Sequence, residues 1–272
     1  MRKPHLFTLL GAFILAGALA VPAQADVTAY VVHGIDGADG LPVDVSVSGL
    51  GCVPALEGLE FGDRIGPLTV PAGNYDISVF LADDINPCEG VEVIDLDDLE
   101  LSEGANATVI AHRTADGTAG PGDVLELGIT ASLFANDSSP VGRGKARVIA
   151  HHTALAPSVD VVVSRDYSDP TSPGVTVPGF SNPTSDAGAV ISQINAQFRP
   201  GNWEVTLESG GGVAVDPTTI RLRPYSVTYI YAVGDFAGET LQYLVFVDGQ
   251  SNRGGGRSRV GGQNVERRFS RF

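Results

Sequence analysis

Basic residues are scarce in most of this chain. Residues 26–250 contain 9 Lys and Arg against 31 Asp and Glu, a net charge of −22, whereas the last 22 residues contain six Arg and one Glu, a net charge of +5. A body this acidic repels nucleic acid and anionic membrane surfaces. We therefore expect no nucleic-acid partner, and interpret the acidity either as a solvated surface or as one that collects cations.

Long apolar runs are also missing beyond the N-terminus. The one such run, Leu6–Val21, follows Arg2 and Lys3 and is followed by Ala23-Gln24-Ala25. This order is typical of a signal peptide over residues 1–25, with cleavage after Ala25, and an uncleaved anchor is the alternative. No Cys follows the cleavage site, which argues against a lipoprotein. We expect an exported protein, periplasmic, cell-surface or secreted, with no transmembrane segment after cleavage.

Cysteine is limited to Cys52 and Cys88. Each lies beside Gly or Pro in a predicted loop, and export places both where disulfides persist. We expect a Cys52–Cys88 bond, which closes a loop of roughly 36 residues and stabilises the fold by about 3–4 kcal/mol in the chain-entropy model. A reactive thiol or a metal-binding pair is the alternative.

Long amphipathic helical patterns are absent, and 34 Gly and 17 Pro separate short runs rich in valine. Such a composition predicts short strands joined by many turns. One pattern occurs twice, because Ala29–His33 resembles Arg147–His151. After each, a Pro-containing turn leads into an alternating strand, Pro42–Val47 in the first copy and Pro157–Val163 in the second.

Two further blocks repeat in the same order. Leu68–Val79 is similar to Ala196–Leu207, since in each a Pro/Gly turn precedes an aromatic residue and two alternating aliphatic residues. Leu99–Leu101 and Ala107–Ala111 are similar to Ile220–Leu222 and Thr228–Ala232, and each copy is predicted to end in one more strand, Val124–Leu133 and Leu241–Val247. About seven short strands per copy predict an all-β protein of two tandem antiparallel β-sandwiches, immunoglobulin-like or transthyretin-like.

The repeat also sets the expected domain boundaries. The first sandwich is predicted over 26–137 and the second over 145–249, with a linker at 138–144 that is rich in turn residues. Residues 250–272 form a Gly/Arg-rich tail with almost no apolar periodicity, which we expect to be disordered or weakly docked.

At these motifs the sequence resembles the bacterial DUF4397 family, in two tandem copies. The resemblance rests on the strand that ends in His33 or His151, on the alternating strand after the Pro turn, and on the turns before Tyr75 and Trp203. It implies a secreted or surface-attached β-sandwich with no established chemistry. Two segments depart from the pattern, an insertion at Asp36–Gly40 and a long loop at Asp166–Gly188, and sandwich end loops such as these carry function.

Histidine and aspartate offer the best material for chemistry. His33, His112 and Asp44 are predicted near one end of the first sandwich, where they could hold a metal or perform acid–base steps. The second copy has Val233 where the first has His112, so this set is incomplete there. We therefore favour structural His–Asp pairs that fix the strand ends, His33 with Asp44 and His151 with Asp160.

Acidic turns suggest calcium, which takes six to eight oxygen ligands. Asp36, Asp39 and Asp44 surround a Gly-rich turn, and further acids cluster at Asp83-Asp84 and at Asp95–Glu100. No stretch has the EF-hand spacing, so a solvated acidic surface is the competing interpretation.

No set of residues points to catalysis. The sequence has no Gly-x-Ser-x-Gly elbow, no phosphate-binding loop and no spacing that ties Ser to His. We expect a non-catalytic binding or structural module of the cell envelope or extracellular matrix, with a protein or glycan partner and no cofactor. The alternative is a metal-dependent or hydrolytic enzyme with its site at the sandwich end loops.

Overall fold

The computed structural model describes residues 25–36, 41–165, 174–185, 190–209, 212–249 and 266–268, with the backbone alone for 212–216 and 266–268. The predicted signal peptide up to residue 24 and most of the predicted tail lie outside these residues. Within them the regular secondary structure is strand, apart from a 3-10 turn at Pro54–Leu56, and no helix is long and apolar enough to span a membrane. The predicted all-β class is confirmed.

Eight strands from the first part of the chain form two sheets. They are β1 (Val27–His33), β2 (Val43–Val47), β3 (Gly51–Cys52), β4 (Arg64–Val70), β5 (Gly73–Leu81), β6 (Glu92–Leu101), β7 (Asn106–Arg113) and β8 (Ile129–Ala135). Sheet 1 has the order β3-β2-β5-β6, and sheet 2 has the order β4-β1-β7-β8. Neighbouring strands are antiparallel except β1 and β7, which are parallel.

The second part of the chain repeats this strand order. Its strands are β9 (Ala146–His152), β10 (Val159–Ser164), β11 (Val175–Phe180), β12 (Gln193–Phe198), β13 (Gly201–Ser209), β14 (Gly212–Leu222), β15 (Ser226–Val233), β16 (Gln242–Gly249) and β17 (Glu266–Arg268). Sheet 3 has the order β12-β9-β15-β16-β17, and sheet 4 has the order β11-β10-β13-β14. The one parallel pair is again central, β9 with β15.

Three segments differ from the sequence predictions. The predicted long loop Asp166–Gly188 contains β11, whose residues pair antiparallel with β10. The last strand of the first sandwich begins at Ile129 rather than at Val124. Glu266–Arg268, within the predicted tail, pairs with the edge of sheet 3 through β16.

Each pair of sheets encloses a core built by strand alternation. In the first sandwich, Val43 and Val45 of β2 pack with Ile94, Val109 and Ile129. Successive side chains of a strand point to opposite faces, so these residues place one face of each strand inward. In the second sandwich the core contains Val159, Val161, Trp203, Leu207 and Ile230 among others. The two sandwiches are therefore separately packed.

A third apolar layer joins the two sandwiches, and the sequence did not predict it. The outer face of sheet 2 packs on the outer face of sheet 3, so the order of layers is sheet 1, sheet 2, sheet 3, sheet 4. All eight residues of β15 are buried as a result. The contact is tight at Gly34, where a Cβ atom would lie 2.9 Å from the Ala111 carbonyl oxygen and 3.1 Å from Val233. The cluster consists of Val32, Ile110, Phe134, Val141, Ile149, Val227, Tyr229, Tyr231, Val233, Leu244 and Phe246.

Strand register corrects the alignment of the two halves by one residue. His33 pairs with Ala111 across β1 and β7, and His152 pairs with Ala232 across β9 and β15. The residue after each of these two histidines makes an equivalent hydrogen bond. The Gly34 amide donates to the Ala111 carbonyl, and the Thr153 amide donates to the Ala232 carbonyl. The partner of His33 in the repeat is therefore His152, and not His151 as the sequence suggested. A slip of one residue moves a side chain to the opposite face of a sheet.

Arg64 links the sandwiches by charge at the same contact. Its guanidinium donates to both carboxylate oxygens of Asp248, at 3.1 and 2.9 Å. The same group lies 4.0 Å from the centre of the Tyr30 ring and 4.5 Å from that of Tyr229. Arg64 is 3% exposed. The predicted linker is also packed, since Val141 is buried in the shared layer.

Replacing Arg64 by Ala should lower the free energy of unfolding by about 3 kcal/mol, because it leaves Asp248 without its buried partner and opens a gap between two aromatic rings. Urea unfolding followed by tryptophan fluorescence and circular dichroism measures this loss. The matched control is Arg221→Ala, which changes an exposed side chain of β14 and which we expect to cost under about 0.5 kcal/mol. Equal losses for the two variants would show that the buried pair does not join the sandwiches.

Candidate functional site

Several strand connections meet at one end of the first sandwich, which we call its loop end. Strands β1, β5 and β7 all finish there, and their connections to β2, β6 and β8 lie side by side. The connection from β5 to β6, residues 82–91, is held by a disulfide and by hydrogen bonds to Asp44 and to the strand ends. We call it the β5–β6 loop.

Asp44 anchors this loop from beneath. Its side chain is 2% exposed. One carboxylate oxygen accepts the amide of Gly58 at 2.8 Å, and the other accepts the amides of Asp83 and Cys88 at 3.2 and 3.1 Å. A buried carboxylate requires such donors because its desolvation is costly. Both ends of the segment 83–88 are therefore fixed to a single oxygen atom.

Three more features restrict the β5–β6 loop. The Asp83 carboxylate accepts the amides of Ile85 and Asn86, and these bonds lower the pKa of Asp83. The predicted disulfide is confirmed, because Cys88 is bonded to Cys52 of β3. Gly90 completes the loop, since a Cβ atom there would lie 2.0 Å from the Leu81 carbonyl oxygen. The loop thus has little freedom to rearrange.

The constrained loop presents an apolar residue to solvent. Ile85 is 85% exposed, and Leu41 and Val91 are 50% and 54% exposed. Backbone bonds place these residues around the end of β5, because Ala82 donates to the carbonyl of Pro42, and Leu81 to that of Val91. We call Leu41, Ile85 and Val91 the apolar tip. Exposed aliphatic residues on an ordered loop are typical of a binding surface.

The predicted His33–Asp44 pair is wrong. The ring nitrogens of His33 contact the Leu41 carbonyl oxygen at 3.2 Å and the Ile35 amide at 3.3 Å, while Asp44 binds the three amides described above. His33 therefore fixes the exit of β1, as a loop-binding histidine does, and burial lowers its pKa. The equivalent aspartate of the second sandwich, Asp160, is exposed and accepts the Gly179 amide at 3.0 Å.

The predicted calcium ligands do not come together. Asp36 accepts the Arg113 guanidinium at 2.9 Å, and Asp44 is saturated by amides. Asp39 lies outside the described residues. Among the residues that are described, no group of three His, Cys, Asp or Glu is placed to hold a metal ion. Asp36 and Asp44 are thus structural acceptors rather than neighbours in one site.

The remaining histidines are buried at the two central sheets. His112 contacts the Arg113 carbonyl oxygen at 2.6 Å and the Ser132 hydroxyl at 2.8 Å. His151 stacks on Tyr231 with ring centres 4.9 Å apart and contacts Phe134 on its other side. Its ring nitrogens have no hydrogen-bond partner within the described part of the chain. The predicted pair of His151 with Asp160 is therefore wrong.

Sequence reasoning missed the apolar tip, although one signal was available. The segment Asp83-Asp-Ile85-Asn86-Pro-Cys88 has the order of an Asx turn, in which an aspartate accepts an amide two residues later. We had interpreted Asp83 and Asp84 as a solvated acidic pair. The Asp36–Gly40 insertion cannot be compared, because residues 37–40 lie outside the described residues.

The comparisons with known proteins identify a family. The model of the domain of unknown function DUF4397 matches residues 27–162, half of the chain. The match covers the first sandwich and ends in β10, so a second copy of the domain stays a prediction. None of the functionally curated proteins matches the chain significantly.

Solved structures show only distant likeness. A proposed cell adhesion protein from Bacteroides ovatus ATCC 8483 is 9% identical with a TM-score of 0.25, and the alignment covers 85% of this chain and 99% of that one. The Bacillus anthracis TIE protein is 8% identical with a TM-score of 0.22, over 77% of this chain and 50% of that one. Scores this low do not establish a common fold, and no function follows from them.

Replacing Asp44 by Asn should loosen the β5–β6 loop, because an amide group would set a donor against the donors that the carboxylate accepts. We expect a loss of about 2–3 kcal/mol in unfolding free energy. Hydrogen exchange of the Gly58, Asp83 and Cys88 amides should accelerate together, with the disulfide intact. The control is Asp84→Asn on the exposed side of the loop, and equal exchange rates in the two variants would contradict the anchor.

Acid should destabilise the fold through its buried histidines. Burial lowers the pKa of His151 to about 3 and those of His112 and His152 to about 4, whereas an unfolded histidine titrates near about 6.5. Between these values the unfolded chain binds more protons, so stability is complete above about pH 6.5 and falls toward pH 4. We expect His151→Leu to reduce this slope by about 1.4 kcal/mol per pH unit.

Urea unfolding at intervals from pH 7.5 to pH 4.5 measures that slope. His5 lies in the predicted signal peptide, so for a protein that begins at Asp26 the wild-type dependence reports the four histidines of the body together with its carboxylates. An unchanged slope in His151→Leu would contradict the assignment.

Proposed function

Because this chain belongs to the DUF4397 family, whose domain has no known function, we propose that it is an exported, non-catalytic module that binds a partner in the cell envelope or extracellular matrix. The loop end of the first sandwich is the proposed binding surface. The sequence predicted this class of function and pointed to the Asp36–Gly40 and Asp166–Gly188 loops, and we propose the β5–β6 loop in their place.

The observation that carries the proposal is the anchoring of the β5–β6 loop. Asp44, the Asp83 turn and the Cys52–Cys88 bond hold this loop in place. The loop carries Ile85, which is 85% exposed. A surface that is ordered before binding loses less conformational entropy when a partner docks. So many internal bonds beneath an exposed aliphatic residue favour a binding role over a connecting one.

Export is supported by the predicted signal peptide and by the disulfide. Disulfides persist in oxidising compartments and are rare in the cytosol. The strongly acidic body agrees with a partner other than nucleic acid. We place the protein in the periplasm, on the cell surface or in the medium.

A binding role also agrees with the use of the reactive side chains. Asp36 is paired with Arg113, Asp44 with three amides, and the described histidines are buried and held neutral. These aspartates and histidines, which suggested an enzyme from the sequence, therefore make structural contacts. We further propose that residues 145–249 are a second copy of the same domain, since their strand order and parallel pair repeat those of the first.

Capture from an envelope extract tests the binding surface. Immobilised mature protein should retain at least one extract component, and Ile85→Asp should reduce its recovery by more than about tenfold, as loss of a buried anchor does. The matched control is Leu50→Asp, which adds the same charge at 51% exposure at the opposite end of β2.

Both variants change exposed residues and should keep the thermal midpoint of the wild type. Runs with calcium and with chelator should agree, because Asp36 and Asp44 are occupied by other bonds. Equal recovery by Ile85→Asp and Leu50→Asp would refute the proposed surface.

A further inference from the structure

We propose that the partner of the apolar tip is a protein with an apolar pocket ringed by Lys and Arg. This inference rests on the proposed function and names the chemistry that would recognise its site. It draws on the shape of the β5–β6 loop, on the charges around it, and on the charge of the rest of the chain.

The shape of the tip fits a pocket. Ile85 projects from a loop whose two ends meet at one Asp44 oxygen, so the side chain is presented by a narrow, fixed turn. Leu41 and Val91 are less exposed, and backbone bonds of Pro42 and Val91 hold them beside the end of β5. A single prominent aliphatic residue with less exposed apolar neighbours is complementary to a concave apolar surface. Anchors of protein interfaces fill such pockets and exclude water around them.

The charged residues of the β5–β6 loop are of one sign, because residues 82–91 contain Asp83, Asp84 and Glu89 and no Lys or Arg. From Leu41 to His112 the sequence has fourteen Asp and Glu and a single basic residue, Arg64. Arg64 is 3% exposed and bound to Asp248 on the far side of the first sandwich. The outer face of sheet 1 therefore carries no exposed cation of its own. The amides of its turn lower the pKa of Asp83.

Acidic side chains beside an exposed apolar residue favour a cationic partner. Complementary potentials accelerate encounter and reject partners of the same sign. The body of a second copy has the same net charge of −22 over residues 26–250, so this surface is poorly suited to self-association through two bodies. The favoured occupant is a separate protein whose pocket rim is rich in Lys and Arg.

A phage-displayed library of cyclic random peptides, panned on the immobilised mature protein, tests the chemistry of the partner. Enriched peptides should combine a net positive charge with at least two large apolar residues. Their affinity should fall more than about tenfold for Ile85→Asp relative to Leu50→Asp. It should also fall about tenfold or more between roughly 50 and 500 mM NaCl, since screening weakens exposed charge pairs.

The opposite outcomes overturn the inference. They are neutral or acidic enriched peptides, binding that ignores salt, binding equal for Ile85→Asp and Leu50→Asp, or no enrichment above a blank surface. Binding of a synthetic peptide of residues 250–272 at the tip would replace the separate protein with the basic tail of another copy. Binding of envelope glycans that depends on Ile85 would assign a carbohydrate instead.

The two experiments fail in different ways. If extract capture depends on Ile85 but the enriched peptides are not cationic, the binding surface stands and the partner chemistry is wrong. If neither capture nor peptide binding depends on Ile85, the proposed function itself is wrong. The library does not depend on whether the extract contains the natural partner.

Discussion

Sheets 2 and 3 pack against each other through their apolar outer faces, and this contact joins the two sandwiches. Each of these sheets is buried on both sides, so its central strands need apolar residues at nearly every position. β15, with all eight residues buried, is the clearest case. Arg64 enters the same layer only because Asp248 and two tyrosine rings receive its charge. The four histidines of the described chain are buried at these two sheets, where neutral rings pack as large, weakly polar side chains.

The same strand position serves two purposes in the two sandwiches. Asp44 is buried under the β5–β6 loop and fixes three amides, whereas Asp160 is exposed and accepts one amide of β11. The difference follows from the length of the connection that leaves the neighbouring strand, β5 in the first sandwich and β13 in the second. Residues 82–91 are long enough to fold back over Asp44, while only two residues separate β13 from β14. The first sandwich thus has a loop that folds over this aspartate, whereas the two-residue connection from β13 to β14 is too short to do the same.

Much of the fold was readable from the sequence, and particular residues show why the rest was not. The alternation of Val43, Val45 and Val47 predicted β2 and its inward face correctly, because burial on one side leaves a period of two. The layer between the sandwiches was missed, since a strand buried on both sides has no alternation to detect. His151 was paired with Asp160 from their order in the repeated motif, whereas His151 packs against aromatic rings and Asp160 is exposed on another sheet. The disulfide was predictable from export and the presence of two cysteines alone.

The amide bonds of Asp44 could not be predicted, because they join residues 44, 58, 83 and 88, which only the folded chain brings together. Asp36 was assigned to calcium on its neighbours in sequence, while its partner, Arg113, lies 77 positions away. Long-range pairs of this kind decide whether an acidic residue is a ligand or a scaffold element. Composition and spacing do not contain that information.

The repeated strand order gives the central contact a further property. By register, Thr108 and Ile110 of β7 occupy the positions of Tyr229 and Tyr231 of β15, so on these two strands the smaller side chains belong to sheet 2 and the larger rings to sheet 3. Close-packed interiors are sensitive to side-chain volume, so an exchange of these residues between the two strands would alter the fit of the central layer. The halves share one topology, and they differ in side-chain size at the face where they meet.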